Sequence, residues 1–369
     1  MSKRRKKKLN RRQQEIRRKR LKKRKRRRAI VIIIELIILC ILGTTAFALF
    51  KLGKMERTSL TNIKNNGLKQ TGYTNIALFG LDSRGKNLGK GNRTDTIMIA
   101  SINNETKKVK LISVYRDTML KQNGEHYDKA NAAYSVGGPE MAVNMLNENL
   151  DLDIQDYVSV NFLALADVID MVDGITVKMT DEEVVHMNNY CVETSKVTGK
   201  KYKKIEPAVA GTYKLNGVQA VSYARIRYTA GGDYKRTERQ RLVLEKTANK
   251  LKKQNLATIN KIIDKVMPEV STSFSTKEIL ALASGAFDFE LGKTSGFPFD
   301  LETPDSVPGY SGSYVIPKGL EENVIKLHEF LFPDEDYTPT ETVTNISDTL
   351  INMTNVYPST TGSGTSQYE

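Results

Sequence analysis

Tryptophan is absent from the 369 residues, cysteine occurs twice and histidine three times. Each scarcity weakens a class of chemistry. Cys40 sits in an apolar run near the N-terminus and Cys191 far downstream, so the pair makes neither a disulfide framework nor a metal-ligand cluster. His126, His186 and His328 are scattered, which leaves a Ser-His-Asp triad or a zinc site with little support. His126, close to Asp128 and Lys129, reads as a surface residue. No Gly-x-x-x-x-Gly-Lys-Ser/Thr loop is present, which argues against a P-loop nucleotide site. Internal repeats are also lacking.

The charge is unevenly placed. Of the 57 Lys and Arg, 19 fall within residues 1–28 against one acid, Glu15, whereas 38 basic and 40 acidic side chains follow residue 50. The net charge of +15 therefore belongs to the N-terminus and not to the body of the protein. A basic tail of low complexity without interleaved aromatics is a poor nucleic-acid surface and a good neighbour for anionic lipid headgroups. Residues 29–50 form a nearly continuous apolar run, broken only by Glu35. About 20 such residues cross a bilayer as a helix, and the preceding basic block keeps that end cytoplasmic. The run exceeds the usual signal-peptide core of about 7–15 residues, so an uncleaved anchor is expected despite the small residues around Ala46 and Ala48.

The chain divides into a basic tail at 1–28, a transmembrane helix at 29–50 and a linker at 51–73. A catalytic domain is expected over 74–255, with a C-terminal helical and mixed extension over 256–337 and a flexible tail over 338–369. Short apolar runs at 75–80, 96–100 and 109–114 read as buried strands. Helix and strand signals alternate afterwards: Gly137-Gly138-Pro139 opens a helix to about 150, with further helices over 162–172, 216–223, 236–254 and 275–287. Strands are expected at 157–161 and 175–179, and 181–210 reads as a polar insertion. This alternation indicates an α/β fold, a mixed central β-sheet flanked by helices, preceded by one N-terminal transmembrane helix.

Two polar groups carry the chemistry. Asp82 with Arg84, Arg93 with Asp95, and Arg116 with Asp117 all flank the same ends of the first three strands if those strands are neighbours. Far downstream, Arg225 and Arg227 share a face if extended, Gly231-Gly232-Asp233 makes a turn, and Arg236, Arg239 and Gln240 share a helix face. A planar guanidinium pairs with phosphate oxygens, so a cage of arginines suits a polyphosphate ligand. Carboxylates alongside suit Mg²⁺, which binds one or two carboxylates plus substrate phosphates.

The ordered set Gly80-Leu81-Asp82-Ser83-Arg84, Arg93-Thr94-Asp95-Thr96, Ser113 through Thr118, Lys129 through Tyr134, Asp173-Gly174-Ile175, Arg225-Ile226-Arg227 and Gly232-Asp233 with Arg236, Arg239 and Gln240 resembles the LytR–CpsA–Psr family over about residues 74–250. The resemblance implies an α/β/α sandwich and an enzyme of cell-envelope biogenesis. Such enzymes attach teichoic acid, capsule or related glycopolymers to peptidoglycan. By position, Asp82 and Asp95 would bind Mg²⁺. Arg84, Arg93, Arg116, Lys129, Arg225, Arg227, Arg236, Arg239 and Gln240 would contact the polyprenyl pyrophosphate of the donor. Asp233 would be the general base, with Asp117 and Arg116 as its catalytic neighbours. The short linker departs from members that carry an accessory domain there. A polyprenyl-pyrophosphate hydrolase and a non-catalytic envelope regulator that binds lipid remain as alternatives. The lipid chain needs an apolar groove, for which the helices at 140–150 and 162–172 are the candidate walls.

Overall fold

The computed structural model describes residues 56–83, 88–284 and 288–359. The basic tail, the apolar run at 29–50, Arg84 and residues 360–369 lie outside them. Among the described residues no helix is long and apolar enough to cross a membrane. The described residues form one compact unit.

The strand β1 (Glu56–Arg57) precedes three longer ones, β2 (Tyr73–Leu81), β3 (Thr94–Asn103) and β4 (Lys108–Val114), and a ribbon of β5 (Met119–Lys121) and β6 (Tyr127–Lys129). Helix α1 (Ala130–Leu150) leads to β7 (Asp156–Asn161), α2 (Phe162–Met171), β8 (Ile175–Met179), α3 (Asp181–Thr198), β9 (Gly211–Leu215), α4 (Gly217–Ala224) and α5 (Gly232–Leu251). Then come α6 (Leu256–Val266), β10 (Val270–Thr272), α7 (Thr276–Ser284), β11 (Glu290–Phe297), the paired strands β12 (Leu301–Glu302) and β13 (Ile316–Pro317), α8 (Leu320–Leu331) and α9 (Glu341–Thr354).

Seven strands join in the order β1–β10–β7–β2–β3–β4–β11. The sheet is mixed: β2 is antiparallel to β3 and β3 to β4, whereas β7 runs parallel to β2 and β11 parallel to β4. Alternation along β2 assigns its side chains to two layers. Ala77, Phe79 and Leu81 enter the core that also holds Val143 and Leu146 of α1, Leu327 of α8 and Ile346 of α9. Ile76 and Leu78 face the other side, where Leu244 of α5 packs. Helices thus cover both faces, as the alternation of elements implied.

The register places the chemistry. Leu81 lies opposite both Thr94 and Asn161, and Ile97 opposite Val114. The end of β2, the start of β3, and the ends of β4 and β7 consequently meet at one edge of the sheet. That edge carries Asp82, Asp95, Arg116 and Phe162 in the order their strands dictate.

Several sequence expectations need correction. The expected boundary at 255/256 divides a single sheet, because β10 fills the gap between β1 and β7 and β11 extends the sheet beside β4. The linker at 51–73 is partly structured: β1 pairs with β10, Leu60 and Ile63 pack on the core, and Glu140 accepts from Thr61 N–H at 2.7 Å. Residues 181–198 are a helix, with a capping box in which Thr180 and Glu183 satisfy each other's backbone N–H. The flexible tail expected over 338–369 instead contains α9, whose Val343, Ile346 and Leu350 are buried. The helix α1 begins seven residues before Gly137 and bends at Gly138, which takes φ 71° and lets Pro139 restart the helix.

Candidate active site

One cavity of about 310 Å³ opens at the sheet edge and is lined by Asp82, Arg93, Asp95, Arg116, Phe162, Tyr190, Arg225, Arg227, Arg236 and Gln240. Five guanidiniums against two carboxylates make it a cation-rich pocket in a near-neutral domain. Each group arrives on a different element. Asp82 follows β2, and its N–H donates to the Arg93 carbonyl at 3.2 Å, tying the two strand ends together. Asp95 sits in β3 and accepts from Arg116 Nη1 at 2.5 Å. Arg116 also approaches Asp117 Oδ2 at 3.4 Å and Asp233 Oδ1 at 4.0 Å.

The downstream arginines come from the α4–α5 connection. Arg225 caps α4 in helical conformation, so the pair Arg225 and Arg227 is not an extended segment as expected. A turn with Ile226 fully buried delivers both guanidiniums to the cavity all the same. Arg225 lies over the rings of Phe162 and Tyr190, at 5.1 and 5.7 Å, and pairs with Glu193 at 3.0 Å. Arg227 reaches Asp95 at 3.9 Å and Asp233 at 4.0 Å.

Arg236 is the most confined of the set, with 2% of its side chain exposed and Nη2 held by Asp233 at 2.8 Å. Its Nε and Nη1, together with Gln240 Oε1, are buried without a hydrogen-bond partner, and Arg116 Nε has only its ion-pair contacts to Asp117 and Asp233. Burial lowers the Arg236 pKa to about 10 from its ordinary 12.5. Burial also raises the Asp233 carboxyl above its ordinary value, against the opposing pull of Arg236, Arg116 and Arg227. Arg116 shows the opposite balance: burial disfavours its charge, but Asp95, Asp117 and Asp233 outweigh it and raise the pKa. Unsatisfied buried donors are costly, and guanidinium donors left in this way are matched by an anionic ligand with several oxygens.

A second cavity, of about 250 Å³, abuts the first. Leu78, Met98, Val158 and Val160 of the sheet form one wall, and Leu165, Val221, Ala224, Val243 and Leu244 of the helices form the other. Phe162, Arg225 and Gln240 line both cavities. The space is therefore apolar along its length and charged at one end. Of the two candidate walls, α2 lines this cavity, whereas the segment at 140–150 belongs to α1 and packs on the opposite face of the sheet.

Most of the expected site residues converge. Asp82, Asp95, Arg93, Arg116, Arg225, Arg227, Arg236 and Gln240 share one cavity, with Asp233 and Asp117 joined to it through Arg116. Two do not enter. Arg239 turns toward the helix layer, donating to Glu183 at 2.8 Å, to the Ile226 carbonyl at 3.2 Å and to Thr229 Oγ1 at 2.7 Å. It supports the Arg225–Arg227 turn and lines a separate cleft with Lys178 and Glu183. Lys129 pairs with Asp117 at 3.0 Å. Tyr190 was not anticipated, because nothing in a helix read as a polar insertion marked it for the site. Arg84 lies outside the described residues.

Among the described residues no group of three or more His, Cys, Asp or Glu is arranged to hold a metal. Asp82 and Asp95 lie at neighbouring strand ends and line the same cavity, the second with its Oδ1 paired to Arg116.

The LytR_cpsA_psr family model matches residues 44–294. The chain is 31% identical over 254 residues to the Streptococcus mutans protein named Biofilm regulatory protein A, covering 65% of this chain and 60% of that one. It is 28% identical over 255 residues to an Enterococcus faecalis protein named polyisoprenyl-teichoic acid–peptidoglycan teichoic acid transferase TagU, covering 67% of this chain and 78% of the relative. Its fold resembles that of Bacillus subtilis YwtF (TagT), solved with bound octaprenyl pyrophosphate lipid: the TM-score is 0.53 and the identity 21%, over 74% of this chain and 99% of the other.

Proposed function

Because the chain belongs to the LytR–CpsA–Psr family, we propose that it transfers a phosphate-linked glycan from a polyprenyl pyrophosphate to a peptidoglycan sugar hydroxyl. One observation carries this reading: a cavity of arginines with unpaired donors continues, through Phe162, Arg225 and Gln240, into an apolar cavity. That shape fits an amphiphile whose pyrophosphate and lipid are joined end to end. The names of the relatives, teichoic acid transferase and a lipid-bound family member, agree with it.

In the reaction the acceptor hydroxyl oxygen forms a bond to the phosphorus that bears the glycan. The bond from that phosphorus to the bridging oxygen breaks, and polyprenyl phosphate leaves. Asp233 takes the hydroxyl proton, its raised pKa bringing it nearer to a useful basicity. Arg116, Arg225, Arg227 and Arg236 neutralise charge on the equatorial and leaving oxygens from fixed positions, which is most of what phosphoryl-transfer catalysis requires. Asp82 and Asp95 would hold Mg²⁺, which would neutralise further phosphate charge. The apolar segment 29–50 would anchor the chain in the membrane with this domain outside, where the lipid donor and the wall meet.

The test combines the full chain, a synthetic polyprenyl-pyrophosphate glycan and peptidoglycan oligomers, with products read by mass spectrometry. A phosphodiester-linked product that disappears with EDTA is expected. Free glycan phosphate with every acceptor tried would assign hydrolysis instead, and tight lipid binding without turnover would assign a regulator.

A further inference from the structure

The chain beyond the family match packs beside the sheet edge that carries the site. Residues after 294 return to the sheet edge, where Val315 N–H donates to the Asp117 carbonyl at 2.9 Å and Met119 N–H donates to the Val315 carbonyl at 2.9 Å. This fixes Val315 beside Asp117 and Met119, just past the end of β4, with Pro308–Tyr314 leading into it. Tyr314 is buried and its hydroxyl donates to Asp128 at 3.0 Å, while Lys129 Nζ lies 4.9 Å from its ring and 3.0 Å from Asp117. Tyr310 stands edge-on to Tyr314 at 5.6 Å and is half-buried. Pro308, Gly309, Ser311, Gly312 and Ser313 are exposed. The result is a loop of Tyr, Ser and Gly joined through Lys129 to Asp117, which in turn pairs with Arg116.

The position of this loop along the edge matters. The apolar cavity runs beneath β7, β2 and β3 and joins the site through Phe162, Arg225 and Gln240, whereas Arg116 and Asp117 follow β4, which lines none of it. Phosphoryl transfer places the attacking and leaving oxygens roughly in line on opposite sides of phosphorus. With the leaving polyprenyl phosphate toward the apolar cavity, the acceptor approaches from the β4 side, past residues 308–314.

We infer that the segment Pro308–Tyr314 is the acceptor-recognition wall, which holds a saccharide ring against Tyr310 and hydrogen-bonds it through Ser311 and Ser313. Tyr offers a rigid amphipathic face, and Ser and Gly offer adaptable polar contacts at little entropic cost. The inference rests on the transferase reading for the identity of the acceptor. It adds that the choice of acceptor resides outside the residues matched by the family model.

Full-length Tyr310→Ala and Ser311→Trp variants test this, the second at an exposed position that needs no repacking. With peptidoglycan oligosaccharides as acceptor, both should raise the acceptor KM about three- to tenfold, the scale of one aromatic contact. The KM for the polyprenyl-pyrophosphate donor should stay within twofold. An unchanged acceptor KM in both variants overturns the inference, and so does an equal rise in donor and acceptor KM. Hydrogen exchange gives a readout that does not require turnover. Protection of residues 308–314 by the oligosaccharides supports the wall even if no transfer is seen, and its absence at saturating oligosaccharide removes the wall while leaving the transferase reading intact.

Discussion

Arg236 and Asp233 occupy successive turns of α5, and their environments prepare them for different tasks. Arg236 keeps two donating nitrogens unsatisfied beside the cavity, which a lysine with its single ammonium could not present in the same plane. Arg236→Lys is expected to lower kcat by about 10²–10³-fold, the cost of losing an aimed electrostatic contact in the transition state. It should also abolish the increase in Tm that polyprenyl pyrophosphate confers on the wild type, as a thermal melt would show. Asp233 must be ionised to take a proton, and burial holds its pKa above the usual value near 3.9. As pH falls through that raised pKa the base becomes protonated, so the acid limb of the kcat/KM profile should lie above the range of a free aspartate. Asp233→Asn should lower kcat/KM at every pH and remove that limb. A limb that persists in Asp233→Asn would assign the base to another group.

Helix α9 is the element whose role was least visible beforehand. Its N-cap Thr340 and its neighbour Tyr337 both donate to Asp151, a carboxylate with 1% exposure at the C-terminus of α1, and Asn66 donates to the same group. Val343, Ile346 and Leu350 complete the core over α1 and α8, each contributing about 1.5–3 kcal/mol by burial. Truncation after residue 338 should therefore abolish cooperative unfolding or lower Tm by more than about 10 °C, given how few degrees each kcal/mol moves a domain of this size. Retention of the wild-type Tm would show α9 to be dispensable. The cap of α3 should weigh less: Thr180→Ala removes one reciprocal hydrogen bond and should cost about 1 kcal/mol in denaturant unfolding.

Across the whole molecule the sheet separates two tasks. One face builds the core with α1, α8 and α9, and the other holds the apolar cavity beneath α2, α4 and α5. Leu165, partly buried on the wall of that cavity, can be enlarged without touching an arginine. Leu165→Trp should raise the KM for a long-chain polyprenyl donor about tenfold or more and leave a short-chain analogue nearly unaffected. Equal effects on both donors would place the lipid elsewhere.

The α/β architecture, the strand-end clusters and the arginine-rich chemistry were legible from local signals, because buried strands announce themselves as short apolar runs and the polar residues flank them directly. Asp82, Asp95 and Arg116 could be placed together once β2, β3 and β4 were taken as neighbours, since antiparallel register brings those ends to one edge. Tertiary structure alone decided the rest. Arg239 shares a helix face with Arg236 yet turns to Glu183 and the Ile226 carbonyl, a choice made by what packs against α5 and not by helical spacing. Tyr190 reaches the site only because α3 folds back over Arg225. The Thr- and Asn-rich sequence of α9 resembles a solvated tail until Asp151 and the α1–α8 surface give its apolar stripe somewhere to go. Contacts between residues distant in sequence leave no periodic trace in either segment, which is why the edge of the sheet could be read in advance and the neighbours of α3, α5 and α9 could not.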